Sequence, residues 1–205
     1  MGRLFADIGI SLDGYCAGPN AGPRNPLGDG GVRIHRWGAS QRAWRRRINL
    51  PGGETGRDNE LVATRFARTG AYVMGRRLFD EGEVGWLDPP PFRGPAFVVT
   101  HRPRGPWVRS DGTTFTFVTE GVEEAVARAR WAAGDRDVDL VGGADVVRQA
   151  LRLGLLDELH LHVTPVELGG GTRLLDGLDP ADLPLPLASV EETPRVSHLR
   201  LLAAA

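Results

Sequence analysis

Residues 137–153 read DVDLVGGADVVRQALRL, and this stretch decides how the rest of the chain is interpreted. Alternating apolar residues predict a short strand over 137–141, and residues 144–153 predict a helix. Gly142 and Gly143 stand between them. Two glycines at such a turn allow a phosphate to approach the backbone beside the free N–H groups of the helix start. Glycines needed only for close packing of the helix on the strand are an equal alternative.

Two further strands end in residues that suit a phosphate. The apolar stretch 71–74 leads into Gly75-Arg76-Arg77 at the start of a short helix, and the strand over 95–100 leads into Thr100-His101-Arg102. Ligands of open α/β sheets bind beyond the carboxyl ends of the strands. Guanidinium groups pair with phosphate through two parallel hydrogen bonds. Together the three strand ends predict a ligand with several phosphates, such as NADPH with its 2′-phosphate, although any single Arg is more often a solvated surface residue.

The whole chain, residues 1–205, is expected to form one α/β domain. The pattern predicts a largely parallel sheet with helices on both faces and an antiparallel hairpin at the end. A long loop is expected over 14–34, inside an irregular insertion around 19–56. The predicted strands are 3–12, 71–74, 95–100, 113–119, 137–141, 158–166 and two more after Leu185; the predicted helices are 35–48, 58–68, a short one from Gly75, 121–133 and 144–153.

Alternation and helical spacing predict which side chains face the core. In the first strand, one face carries Asp7, Gly9 and Ser11, and the other carries apolar residues. The expected apolar positions are Ala6, Ile8 and Ile10 of that strand, Leu61, Val62, Phe66 and Ala67 of the helix over 58–68, and Val122, Val126, Ala129 and Ala133 of the helix over 121–133.

Composition excludes several classes of protein. The chain has 205 residues, 41% of them apolar, and no run approaches the roughly 18–20 apolar residues of a membrane span. Its net charge of −1 argues against a nucleic-acid binder. All 25 basic residues are Arg, which excludes a Schiff-base lysine or a P-loop. Cys16 is the single cysteine, so a disulfide or a Cys-based zinc cluster cannot form within the chain. These features, with no signal-peptide pattern, predict a cytoplasmic location.

The common nucleotide-binding and hydrolase signatures are missing from the sequence. It contains no G-x-G-x-x-G, no Walker A sequence, no G-x-S-x-G and no H-E-x-x-H. A dinucleotide must therefore be bound by an architecture other than the standard Rossmann site.

The order of the motifs resembles the dihydrofolate reductase-like superfamily. Within it, the chain is most similar to the group that shares the reductase domain of the bifunctional riboflavin-biosynthesis deaminase/reductase. The resemblance extends from about residue 3 to 203 and is weakest over the 19–56 insertion. Its motifs are Ser11-Leu12-Asp13-Gly14, Val73-Met74-Gly75-Arg76-Arg77, Val98-Val99-Thr100-His101, Val141-Gly142-Gly143-Ala144, and Leu156-Asp157-Glu158-Leu159 followed by Pro165 and Gly169-Gly170-Gly171.

The resemblance implies a three-layer α/β fold, an NADPH-dependent reductase and a homodimer. The zinc deaminase half of the bifunctional enzyme has no counterpart in this sequence, so we expect a stand-alone reductase. Its expected substrate is small, planar and heterocyclic, such as a pterin, a folate-like imine or an aminopyrimidine. A nucleotide-binding module without chemistry, or one that sequesters a drug, is the alternative. By position, the resemblance implies three groups of cofactor contacts. The phosphate contacts are Gly75, Arg76 and Arg77 for the pyrophosphate and the 2′-phosphate, and Gly142, Gly143, Ala144, Asp145 and Val146 for the second phosphate-binding turn. Beside the adenosine are Thr100, His101 and Arg102, and beside the nicotinamide are Gly9, Asp13, Gly14, Cys16 and Ala17.

Two carboxylates are candidate proton donors, because reduction of a C=N or C=O bond leaves negative charge to be protonated. The resemblance implies a carboxylate near the start of the helix before the Met-Gly-Arg strand. That position falls on Asp58, Asn59 or Glu60. Asp58 is the first choice, and its alternative role is a helix N-cap. Asp7 is the second choice and could also contact substrate. Its alternative is a position at the sheet edge or a hydrogen-bonded structural position, whereas Asp13 is expected to shape the turn before Gly14.

Three other residues permit more than one interpretation. His160 and His162 alternate along one strand with a spacing that can bind metal, but no third ligand is evident. We therefore predict no metal site and place both at a surface or a subunit interface. Trp86 could stack on a planar substrate or fill the core, and we favour the substrate contact.

Overall fold

The structure is a computed structural model that describes residues 2–179, 183 and 185–203. Nine strands of this part form one sheet in the order β10-β11-β8-β1-β7-β3-β4-β6-β5, and β2 pairs with β9 apart from it. In chain order the strands are β1 (Leu4–Ser11), β2 (Tyr15–Ala17), β3 (Thr69–Gly75), β4 (Ala96–Val99), β5 (Trp107–Val108), β6 (Thr114–Val118), β7 (Asp137–Gly142), β8 (Glu158–Thr164), β9 (Thr172–Arg173), β10 (Leu187–Glu192) and β11 (Ser197–Leu202).

The sheet is parallel from β8 through β6, and the hairpin of β10 and β11 runs antiparallel beside β8, as predicted. Helices cover both of its faces. None of the helices in the described residues is long and apolar enough to cross a membrane. The helices are α1 (Val32–Ala39), α2 (Arg42–Arg47), α3 (Arg57–Arg68), α4 (Arg76–Glu83), α5 (Val122–Ala133) and α6 (Ala144–Arg152).

Alternation along the central strands explains why both faces are buried. In β3, Ala71 and Val73 face the core under α5 and α6, whereas Tyr72 and Met74 face the aromatic cluster under α4. A strand buried on both faces is apolar throughout, which is typical of parallel sheets. The inward positions predicted for α5 are confirmed, since Val122, Val126, Ala129 and Ala133 are all buried. In α3, however, Ala67 is exposed, so its predicted stripe is only partly correct.

The prediction of one helix over 35–48 is wrong. The structure has two short helices, because Gln41 adopts an extended conformation with a ψ of 143°. This conformation lets the backbone of residues 41–42 pair with Glu54, and the Gln41 amide donates a 2.7 Å hydrogen bond to the carbonyl of Trp37. A contact 13 residues away therefore interrupts the helix.

The prediction of an unbroken loop over 14–34 also needs correction. Tyr15–Ala17 form β2, which pairs with β9, and α1 begins at Val32. The strands β5 and β9 were not predicted because each contains two residues, too few for a periodic signal.

Candidate functional site

The three predicted strand ends lie side by side at the carboxyl edge of the sheet. Met74 of β3 pairs with Gly142 of β7, and Gly75 pairs with Val99 at the end of β4. A Cβ atom built on Gly75 would lie 2.8 Å from Cγ2 of Val146 and 3.5 Å from the backbone nitrogen of Gly143. The two glycine turns are thus in close contact, and Gly75 leaves no room for a side chain.

Two helices begin at this edge without a side-chain cap. Gly75 is the N-cap residue of α4 and Gly143 is the N-cap residue of α6. The first-turn N–H groups of a helix have no acceptor within the helix and carry a partial positive charge. Gly142 has a φ of +121°, a conformation that favours glycine. The two adjacent helix starts fit a ligand with more than one phosphate.

The predicted arginines lie at the same edge but have different partners. Nε of Arg76 donates to Asp80 at 2.6 Å, and Nη2 of Arg102 donates to the other oxygen of the same carboxylate at 2.8 Å. Asp80 was not singled out from the sequence, although its spacing of four residues from Arg76 is the spacing of a helical ion pair. Arg77 instead points toward β9 and donates to the Thr172 hydroxyl at 3.2 Å. The Arg77 and Arg102 side chains are 60% and 69% exposed.

The turn after β4 is held by its own residues. The buried Thr100 hydroxyl accepts a 3.0 Å hydrogen bond from the backbone N–H of Arg102. His101 lies between them and is exposed. The turn therefore presents His101 and Arg102 to solvent at the edge where the resemblance implies the adenosine.

The segment after β1 is tied to the loop after β8. The Asp13 carboxylate accepts hydrogen bonds from the backbone N–H groups of Leu168 and, at 2.8 Å, Gly169. A hydrogen bond with Ser11 and these backbone bonds lower the pKa of Asp13 to about 2. Asp13 therefore joins two loops, a larger role than the predicted shaping of its own turn. A cavity of about 320 Å³ borders Gly14, and Ile10 and residues 173–177 complete its lining.

The remaining residues implied for the nicotinamide lie close to β2 and α1. The Cys16 thiol donates to the Thr172 carbonyl at 3.3 Å, and burial raises the pKa of this thiol. Ala17 is buried. A Cβ atom on Gly9 would lie 3.2–3.3 Å from Ile34 and His35 of α1, so this helix packs directly over Gly9.

Asp7 occupies a hydrogen-bonded position, which is the structural role given above as the alternative to a proton donor. Its Oδ1 lies 2.7 Å from Nη1 of Arg65 and 2.9 Å from Nε2 of His162. Burial raises the pKa of Asp7, but the charges of Arg65 and His162 outweigh it and hold the pKa well below its usual range. Arg65 also binds Asp139 through both carboxylate oxygens, at 2.8 and 3.2 Å. Burial raises the pKa of Asp139.

Asp58 is not the N-cap of its helix, because that position belongs to Gly56. Its Oδ1 instead lies 3.1 Å from Nε2 of His198. It borders a cavity of about 200 Å³ whose lining also includes Gln41, Glu54, Arg57 and residues 193–195. Asp58 and Asp7 are thus brought to one face of the sheet, where β11 and β8 separate them.

The surface position predicted for His162 is wrong, whereas His160 is partly exposed, and the alternative of a subunit interface stays a prediction. His162 is buried, and His160 lies 3.0 Å from the buried carboxylate of Glu158. Parallel pairing of β1 with β8 sets this face, with Asp7 opposite His160. Among the described residues, no group of three or more His, Cys, Asp or Glu side chains is arranged to hold a metal ion. His198 and Arg65 were missed because their partners are distant in sequence.

Trp86 packs in the aromatic cluster of α4. Its ring lies 5.9 Å from Phe79, 5.1 Å from Phe92 and 5.6 Å from Phe115, measured between ring centroids. This packing fits the core-filling alternative, and the substrate contact of Trp86 stays a prediction.

Comparison with known proteins identifies the family. A family model for the RibD C-terminal domain matches residues 3–199. The chain belongs to the RibD C-terminal domain family. This membership confirms the resemblance that the five motifs indicate. No curated protein matches the sequence of this RibD C-terminal domain.

Solved structures of similar fold include two with nearly complete coverage. One is a crystal structure from Shewanella sp. PV-4, named provisionally as a riboflavin biosynthesis protein, with 20% identity, a TM-score of 0.68 and 99% of each chain covered. The other is dihydrofolate reductase from Enterococcus faecalis complexed with NADP(H) and RAB-propyl, with 14% identity and a TM-score of 0.57; it covers 100% of this chain and 98% of that one. These matches confirm the dihydrofolate reductase-like fold.

Substitution of Gly75 by alanine tests the contact between the two glycine turns. The new methyl group would lie 2.8 Å from Cγ2 of the buried Val146, so we expect the free energy of unfolding to fall by about 1–3 kcal/mol. Gly105→Ala is the matched control, because a Cβ atom there meets no other atom within 4 Å. Urea denaturation checks both variants. Equal stability of Gly75→Ala and the wild type would contradict the packing described above.

Proposed function

We propose that this protein is an NADPH-dependent reductase that transfers a hydride to a small, planar, heterocyclic substrate such as a pterin, a folate-like imine or an aminopyrimidine. The observation that carries the proposal is the contact between two uncapped helix starts, at Gly75 and Gly143, on one edge of the sheet. Exposed guanidinium groups of Arg77 and Arg102 lie on the same edge. Family membership supports a reductase, and the proposal includes the expected homodimer and cytoplasmic location.

The proposed cofactor contacts follow from this geometry. The N–H groups at the starts of α4 and α6 would bind the pyrophosphate, because helix starts attract anions. Arg102 would pair with the 2′-phosphate, with Thr100 and His101 beside the adenosine. Arg77, which points toward Thr172, would contact the pyrophosphate from the nicotinamide side. The nicotinamide would lie beside Gly14 and the cavity that it borders, at the end of the strand that carries Gly9. When bound, NADPH supplies the hydride, and the protein orients both reactants and excludes water.

Thermal shift with NADPH and NADH tests the cofactor assignment. Ligands that bind only the folded state raise its apparent stability, by about 2.7 kcal/mol at a hundredfold excess over Kd. We expect a larger shift with NADPH than with NADH, because NADH lacks the 2′-phosphate. Arg102→Gln removes one charge-assisted contact to the 2′-phosphate, so it is expected to weaken NADPH binding by about 10–100-fold and to leave NADH binding nearly unchanged.

The control is Arg136→Gln, at the amino end of β7 and so at the opposite edge of the sheet, where Arg136 is exposed and binds the Thr69 carbonyl. It is expected to leave the preference for NADPH intact. Equal shifts with both dinucleotides would contradict the arginine assignment. Tight NADPH binding without NADPH oxidation in the presence of pterins, folates and aminopyrimidines would instead favour a binding module.

A further inference from the structure

Four side chains form one continuous hydrogen-bonded line, here called the Asp–His chain: Asp58, His198, His162 and Asp7. Oδ1 of Asp58 lies 3.1 Å from Nε2 of His198, the two histidine Nδ1 atoms are 2.7 Å apart, and Nε2 of His162 lies 2.9 Å from Oδ1 of Asp7. Each of these side chains is at most 12% exposed. The chain connects the cavity beside Asp58 to the strand that carries Gly9.

The distances determine how many protons the Asp–His chain holds. Each of its three contacts is a hydrogen bond and needs one proton. Two neutral imidazoles carry only two protons, and ionised carboxylates carry none. If both Nε2 atoms donate to carboxylates, the two Nδ1 atoms would face each other with lone pairs at 2.7 Å unless a third proton lies between them. The count of three holds wherever each proton resides.

The groups around the Asp–His chain act on the pKa of His198 in both directions. Burial and the neighbouring His162 lower the pKa of His198, while Asp58 and Glu191 raise it. The Trp37 ring packs 4.6 Å from His162 and 5.1 Å from His198, between ring centroids, and shields both from solvent. The other charged or titratable groups near the Asp–His chain are Arg65 of α3, His35 of α1, His160 of β8, Glu191 of β10, the cavity residues Glu54, Arg57 and Arg195 beside Asp58 and, through Arg65, Asp139 of β7.

The Asp7 end of the chain approaches the region where the substrate is proposed to bind. Asp7 precedes Gly9 by two residues on the same face of β1, a separation of about 6.6 Å along a strand. His35 packs over Gly9, and its Nε2 is buried without a hydrogen-bond partner in the described residues. Burial lowers the pKa of His35 to about 4, so this imidazole is neutral at pH 7.

We infer that the Asp–His chain stores one exchangeable proton and releases it at Asp7, so that His162 and His198 are positioning residues for protonation of the substrate. The release step rests on the proposed function. The Nε2–H bond of His162 breaks, Asp7 passes the proton to the reduced substrate, and the shared proton stays on Nδ1 of His162. Two neutral imidazoles remain, and one proton from solvent restores the original state.

Nuclear magnetic resonance of the protein with ¹⁵N-labelled histidine tests the stored proton without cofactor or substrate, so failure of the proposed function would not affect the result. At pH 7.5 we expect three protons on the four ring nitrogens of His162 and His198, with one shared by the two Nδ1 atoms. Two protons, one on each imidazole, would overturn the inference. The exposed His101 serves as an internal reference.

The His198→Gln variant tests whether His198 shares the stored proton of the Asp–His chain or has only a structural role. The glutamine amide can still reach Asp58, but the contact between the Nδ1 atoms is lost. We expect Nδ1 of His162 to become unprotonated while Nε2 keeps its proton. His160→Gln is the matched control, since it changes the neighbouring histidine of β8 and leaves all three hydrogen bonds in place. A shared proton that persists in His198→Gln, or disappears in His160→Gln, would contradict the assignment; the wild-type spectrum decides the matter if a variant does not fold.

Discussion

Replacing Arg65 with methionine is expected to lower the free energy of unfolding by about 3–5 kcal/mol at pH 7. Arg65 is the shared partner of Asp7 and Asp139, whose side chains are 12% and 1% exposed. Without the guanidinium, both carboxylates would remain buried with their main counter-charge removed. Unpaired buried charges destabilise the folded state far more than loss of an exposed ion pair does.

The pH dependence of this variant follows from the raised pKa of Asp139. Loss of Arg65 raises that pKa further, so the folded variant binds more protons than the unfolded chain above the ordinary carboxyl pKa. Its deficit in stability relative to the wild type should therefore shrink as the pH falls from 7 to 5. Arg57→Met is the control, because Arg57 pairs with Glu191 in an exposed ion pair and its loss should change stability little. Similar losses in both variants, measured by urea denaturation, would refute the argument.

Elements with a long periodic pattern could be predicted from the sequence. The apolar stripe of α5 and the alternation of β3 each depend on neighbours in sequence, so their burial follows from spacing alone. The strand ends at Gly75 and Gly142 could also be placed together, because carboxyl ends of parallel strands meet at one edge. The contacts of the charged side chains at this edge could not be predicted. Asp80, for example, binds both Arg76 and Arg102, which belong to different elements.

Contacts between distant segments could not be predicted in the same way. Asp58 and His198 are 140 residues apart, and their hydrogen bond depends on the place of β11 beside β8 in the sheet. The break in the helix at Gln41 likewise depends on Glu54. A single sequence contains no periodic signal for such pairings, so Asp58 suggested a helix cap, and His162 suggested a surface strand.

Replacing Asp7 with asparagine is expected to lower kcat/KM for NADPH-dependent reduction by about 10²–10⁴-fold, the usual contribution of proton transfer by a side chain. The pKa of Asp7 is held well below its usual range, so Asp7 relays the proton of His162 and does not store it. Asparagine keeps the shape of the side chain but cannot carry a proton to the substrate. Asp58→Asn is expected to have a smaller effect, because the asparagine oxygen still accepts the hydrogen bond from His198 and the site of proton release is unchanged. Steady-state rates between pH 5 and 9 compare the two variants.

Glu158→Gln is the matched control for Asp7→Asn. Glu158 is also a buried carboxylate paired with arginines, including Arg68 at 2.9 Å, but it lies outside the Asp–His chain at the amino end of β8. Its substitution should reduce stability and leave kcat/KM of the folded enzyme unchanged. If Asp7→Asn binds NADPH normally and keeps full activity at every pH, Asp7 is not the route of the proton; if Asp58→Asn is equally active, neither carboxylate is, and the proton must come from solvent.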